Sequence, residues 1–84
     1  MNPVPKELLE RIQQMTPPGS EVIPLDWAYE AEDHNIAVLI DDQEDARALE
    51  ERLLDTIIDY DEAHDTFTVC MVWHKQEKAL AGVR

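Results

Sequence analysis

His34, His64, His74 and Cys70 are the residues whose types most readily suggest metal chemistry in this 84-residue chain. Their spacing argues against it. His74 and Cys70 fall four apart in an alternating, strand-like stretch, which puts their Cα atoms about 13 Å apart. One tetrahedral zinc ion, with ligand bonds of about 2.0–2.3 Å, cannot span that distance. His34 and His64 fall in separate polar links. The segment Asp59-Tyr60-Asp61-Glu62-Ala63-His64-Asp65 is rich in oxygen donors but lacks the glycine turn and alternating ligand register of a calcium loop. It reads as a solvated helix end. No cofactor or metal is expected.

Catalytic readings fare no better. A carboxyl acting as a general acid needs an apolar pocket that raises its pKa. Asp26, the one acid inside a strand-like run, alternates toward the more polar side, while Asp41 and Asp42 read as helix caps. A reactive thiolate needs a neighbouring cation or a helix N-terminus, and a mid-strand position gives Cys70 neither. With Gly19 and Gly82 as the only glycines, a phosphate-cradling loop is excluded. No enzyme activity is expected.

The elements that would position these residues follow from periodicity. Leu8, Ile12 and Met15, with Leu9 beside them, predict an amphipathic helix over 5–15, started by Pro3 and Pro5 and stopped at Thr16-Pro17-Pro18-Gly19-Ser20. Ile23, Leu25, Trp27 and Tyr29 alternate with Pro24, Asp26, Ala28 and Glu30, predicting an edge strand, since Pro24 cannot donate to a ladder. Ala31 to His34 is a short link, and 35–40 reads as a central strand, apolar on both sides. From 43 to about 60, Ala46, Leu49, Leu53, Ile57 and Tyr60 form one helical stripe, widened by Leu54 and Ile58. The opposite stripe carries Glu44, Glu51, Asp55, Asp59 and Glu62. Residues 66–74 alternate as a third strand, and 75–84 read as a mildly basic tail, either loosely ordered or forming a helical turn that Gly82 stops, within a single domain, 1–84.

The expected class is therefore α+β, in the order α-β-β-α-β. The short link favours an antiparallel hairpin, and the helical crossover makes the third strand parallel to the second, giving a mixed three-stranded sheet. Both helices are expected on the face bearing Trp27, Phe67, Met71 and Trp73. That leaves Val22, Ala28, Cys70 and Val72 on an open face, either wet or covered by another chain.

This outline resembles the minimal nucleotidyltransferase-like domains of antitoxin systems, over Leu8 to Trp73. The resemblance would imply a Gly-Ser pair after the first strand and an Asp-x-Asp pair on the second. Here Asp26-Trp27-Ala28 stands near the first and Asn35-Ile36-Ala37 replaces the second, so it implies a fold without the reaction.

Charge supplies the remaining expectation. The net charge is −12, and residues 26–65 carry fifteen acids against Arg47 and Arg52 alone. Such a field repels nucleic acid phosphates and anionic membranes and favours basic partners. No apolar run reaches the ~20 residues of a membrane span, no cationic leader precedes an apolar core at the N-terminus, and a lone cysteine suits a reducing compartment. The expectation is a soluble, cytoplasmic, non-catalytic interaction module. It binds a protein or a second copy of itself as a homodimer. The alternative is an acidic nucleic-acid mimic, or antitoxin-like neutraliser of a basic protein.

Overall fold

A computed structural model describes residues 3–83. The elements are α1 (Lys6–Met15), β1 (Glu21–Pro24), β2 (His34–Ile40), α2 (Ala46–His64) and β3 (Thr68–His74), followed by a 3-10 turn at Lys75–Glu77. The fold is α+β, and the order is the expected α-β-β-α-β. The sheet runs β1-β2-β3, with β1 antiparallel and β3 parallel to the central β2. No helix is long and apolar enough to cross a membrane among the described residues.

Every residue of β2 is buried, so both faces of the sheet are covered over the central strand. On one face Ile36, Val38 and Ile40 meet Leu8 and Ile12 of α1 and Leu49, Leu53, Ile57 and Tyr60 of α2. The α2 residues are the stripe that the 3.6-residue period places on one side of a helix. On the other face Ala37 and Leu39 meet Leu25 and Ala81, with Ile23, Trp27, Trp73 and Val83 packed around them.

This assignment reverses the expected one. Val22, Cys70 and Val72 lie beneath the helices, and the Trp27 and Trp73 side is the one without them. The register gives the reason. Directly paired residues project to the same side of a sheet, and Val22 pairs with Val38, Ile36 with Cys70, and Val38 with Val72. The helices settle on the side where the central strand carries three β-branched residues, not on the side where the outer strands carry aromatics. The fourth residue expected on the open face, Ala28, is not in a strand at all.

β1 ends at Pro24, one residue before its last bond to β2. Leu25 N–H donates to Asn35 O at 2.8 Å, and the chain then leaves the sheet. Trp27 turns across the second face, where its Nε1 donates to Gly82 O at 3.1 Å. Residues 75–83, read from sequence as a loose tail, thus fold back as the cover of that face, with Ala81 buried. Gly82 has φ 75°, and a Cβ there would run into the Trp27 indole. Gly19 also has a positive φ, 84°, but a Cβ there would meet only Lys75 Nζ, at an ordinary 4.0 Å.

The two glycines separate conformational strain from collision. Gly19→Ala is expected to destabilise the fold by about 1 kcal/mol, the left-handed cost alone. Gly82→Ala adds the displaced indole and is expected to cost about 2–4 kcal/mol. Urea midpoints followed by both tryptophan emission and far-UV circular dichroism check both values. Equal shifts would mean that Trp27 does not hold the tail.

Candidate functional site

Carboxylates organise the segments around the sheet. Asp45, not Asp41 or Asp42, caps α2, accepting from Ala48 N–H at 3.1 Å. The helix continues to His64, beyond its expected end, before Asp65 turns it at φ 52°. Asp61 pins that end: it accepts from Thr66 Oγ1 at 2.7 Å, Thr68 Oγ1 at 2.8 Å and Thr68 N–H at 2.9 Å. The acid-rich stretch expected as a solvated helix end is thus partly a lock on β3.

Glu32 is a buried acid in the loop between β1 and β2. It accepts from Tyr29 N–H at 2.7 Å and Glu30 N–H at 2.8 Å. Burial pushes its carboxyl up, but the backbone N–H groups of Tyr29, Glu30 and Glu32 together outweigh that, and the net shift is downward. The charged form is therefore the one that shapes the loop.

That loop forms one wall of a groove of about 300 Å³ on the sheet face opposite the helices. Phe67, Val69 and Met71 form its floor, with Tyr29, Glu30 and Glu32 beside them. Tyr29 is 49% exposed and Phe67 52%, large values for aromatic side chains within one surface depression. The tail covers Ala37 and Leu39 but leaves this half of the face bare. Geometry thus gives an apolar surface edged by two carboxylates.

Of the residues predicted to form an interaction surface, Glu51, Asp55, Asp59 and Glu62 lie exposed along the outer side of α2, and Glu44 is exposed in the turn before it. Val22, Cys70 and Val72 are in the helix-covered core, and Ala28 is exposed in the loop. The structure does not bring the two sets together. It brings together Tyr29, Phe67, Val69 and Met71 instead. The available signal was the bulk of Ile36, Val38 and Ile40, which fixes the side the helices take and so leaves the odd-numbered residues of β3 to the short tail.

The histidines occupy separate environments. His34 is buried in β2, and His64 stacks on Tyr60 at 4.0 Å between ring centroids. No group of three His, Cys, Asp or Glu side chains that could hold an ion occurs among the described residues. Burial, and then the Glu50 carboxylate, push the Cys70 thiol up to about 12. Chemistry that needs a thiolate is closed to it at neutral pH.

His74 is a structural node. Its Nε2 lies 3.0 Å from Glu44 O and its Nδ1 3.2 Å from Glu77 Oε1, so the imidazolium donates on both sides. Lys75 Nζ, 3.2 Å from Asp41 Oδ1, ties the same two segments together. The Glu44 carbonyl raises the His74 pKa most. Burial opposes it, and the Glu77 hydrogen bond and the charges of Glu77 and Asp42 add to the rise.

No family model, curated protein or solved structure matches the chain. The site must be read from its own chemistry.

Two measurements check these environments. Alkylation of Cys70 by iodoacetamide at pH 7.5 is expected to run about a thousandfold slower than for an exposed cysteine, in proportion to thiolate content. A rate near that of free cysteine would mean the thiol is open. For His74, the folded pKa lies above its ordinary value of 6.5. Its contribution to stability is therefore complete below about pH 6.5 and disappears as pH rises through the folded pKa. His74→Gln should lower the urea midpoint at pH 5.5 more than at pH 9. Equal effects at both would refute the double-donor arrangement.

Proposed function

We propose that this chain is a non-catalytic protein-interaction module that engages its partner through the apolar groove over Tyr29, Phe67, Val69 and Met71. One observation carries the reading. Two aromatic side chains remain about half exposed on a sheet face that is otherwise covered, and a contiguous apolar patch rimmed by polar groups is characteristic of interaction sites. The exposed Glu30 at its margin, in a chain of net charge −12, favours a partner with positive charge near its own apolar contact. The single, half-buried Cys70 is compatible with a reducing, cytoplasmic setting.

A second reading, neutralisation of a basic protein by acidic mimicry of nucleic acid, draws on the exposed row Glu51, Asp55, Asp59 and Glu62 on α2. It uses a different surface, so the two are separable. A photo-crosslinking residue placed at Phe67, at Asp55 or, as a remote control, at Gln14 on α1 would decide between them in the native cell. Adducts to one protein from position 67 alone are the expected result. Adducts from position 55 alone, abolished by high salt, would favour the mimic. Phe67→Ser should cost about 1–2 kcal/mol of stability, since half the ring is still packed, and leave the protein folded, yet remove the partner's binding. Unchanged binding by Phe67→Ser would sink the groove.

A further inference from the structure

β3 is an edge strand, and its outer edge is arranged in an unusual way. In a parallel ladder, alternate residues turn both N–H and C=O away from the neighbouring strand. Val72 N–H donates to Glu50 Oε2 at 3.0 Å, Thr68 N–H to Asp61 Oδ2 at 2.9 Å and His74 N–H to Glu77 Oε1 at 3.0 Å. Thr68, Cys70, Val72 and His74 are therefore the outward set. Carboxylates hold three of these four N–H groups; none of the described residues accepts from Cys70 N–H.

The two sides of this edge match each other. Toward α2, a groove of about 290 Å³ runs over Cys70, lined by Glu50, Leu54 and Ile57, with Arg47 paired to Glu51 at its margin. Leu54, which lines it, and Ile58, one helical turn further on, are 54% and 43% exposed. On the opposite side lies the groove over Phe67, Val69 and Met71. A strand laid along β3 would direct alternate side chains into the two grooves, the requirement for recognition by strand addition.

We infer that the outer edge of β3 receives an extended segment of a partner protein as a fourth strand, with apolar residues entering both grooves and lysine or arginine among or beside them. The incoming segment takes the Cys70 backbone and displaces Glu50 from Val72 N–H. A basic side chain then meets the released carboxylate. Charge selects this occupant over a second copy of the chain, which would bring another −12 against Glu50, Glu51 and Asp61. The inference rests on the interaction function proposed above and specifies how the partner binds.

The test is selection of nine-residue peptides from a random display library, followed by measurements on the enriched peptides made synthetically. Enriched sequences should alternate apolar residues and include lysine or arginine. Their binding should slow amide exchange at Cys70. Methylation of alternate peptide N–H groups should weaken binding at least about tenfold, as loss of two backbone hydrogen bonds implies. Leu54→Glu, at an exposed position, should weaken it comparably. Peptides that bind but leave Cys70 exchange unchanged and tolerate N-methylation would overturn strand addition while the interaction function survives. Failure to enrich any peptide would overturn the extended segment, while crosslinking from position 67 would still decide the interaction function. Protection of Cys70 that grows with the concentration of the protein alone would make a second copy the occupant and overturn the basic segment.

Discussion

A seven-residue strand with no exposed residue needs cover on both sides, and this chain has unequal material to supply it. Two helices shield Ile36, Val38 and Ile40, whereas Ala37 and Leu39 have only the loop after β1 and the nine residues 75–83. The small side chain of Ala37 lets a short segment suffice over the centre of the sheet. It cannot extend over the far half of β3. The half-exposed aromatic groove follows from that shortage, as does the dependence of the second face on Trp27 and Gly82.

The acidic residues are not only a solvated coat. Asp33, Asp45, Glu50, Asp61 and Glu77 each accept a backbone N–H that no helix or strand bond satisfies, and Glu32 accepts two. Such charge-assisted bonds are stronger than neutral ones. A short sheet with a small core gains order at its loops and edge this way, against the self-repulsion of a high net charge. Carboxylates along β3 also blunt an edge that would otherwise pair indiscriminately.

The stripe Leu49, Leu53, Ile57 and Tyr60 made α2 legible from periodicity, and the lengths of the two connections gave the mixed sheet with its antiparallel and parallel pairs. What misled was alternation without a reference. Both sides of β3 carry apolar residues, so its pattern says that it is a strand but not which way it faces. Only the central strand breaks that tie. The apparent alternation of Trp27 and Tyr29 had another origin: past Pro24 these rings serve a loop, and meet each other edge-on at 4.7 Å. The acids at 59–65 were legible as polar but not as partners, because Asp61 finds Thr66 and Thr68 only after the helix has turned back. The groove was therefore missed by orientation, although the identities of Phe67 and Met71 were plain.

Both indoles belong to the side of the sheet that the helices do not touch. Emission from the protein consequently samples a minor portion of its interior, whereas ellipticity is dominated by α1 and α2. Departure of the last residues from the sheet would register in one optical signal and leave the other almost unmoved. Non-coincident curves from the two would mark a sub-global opening, and a single midpoint would then not describe how this protein comes apart.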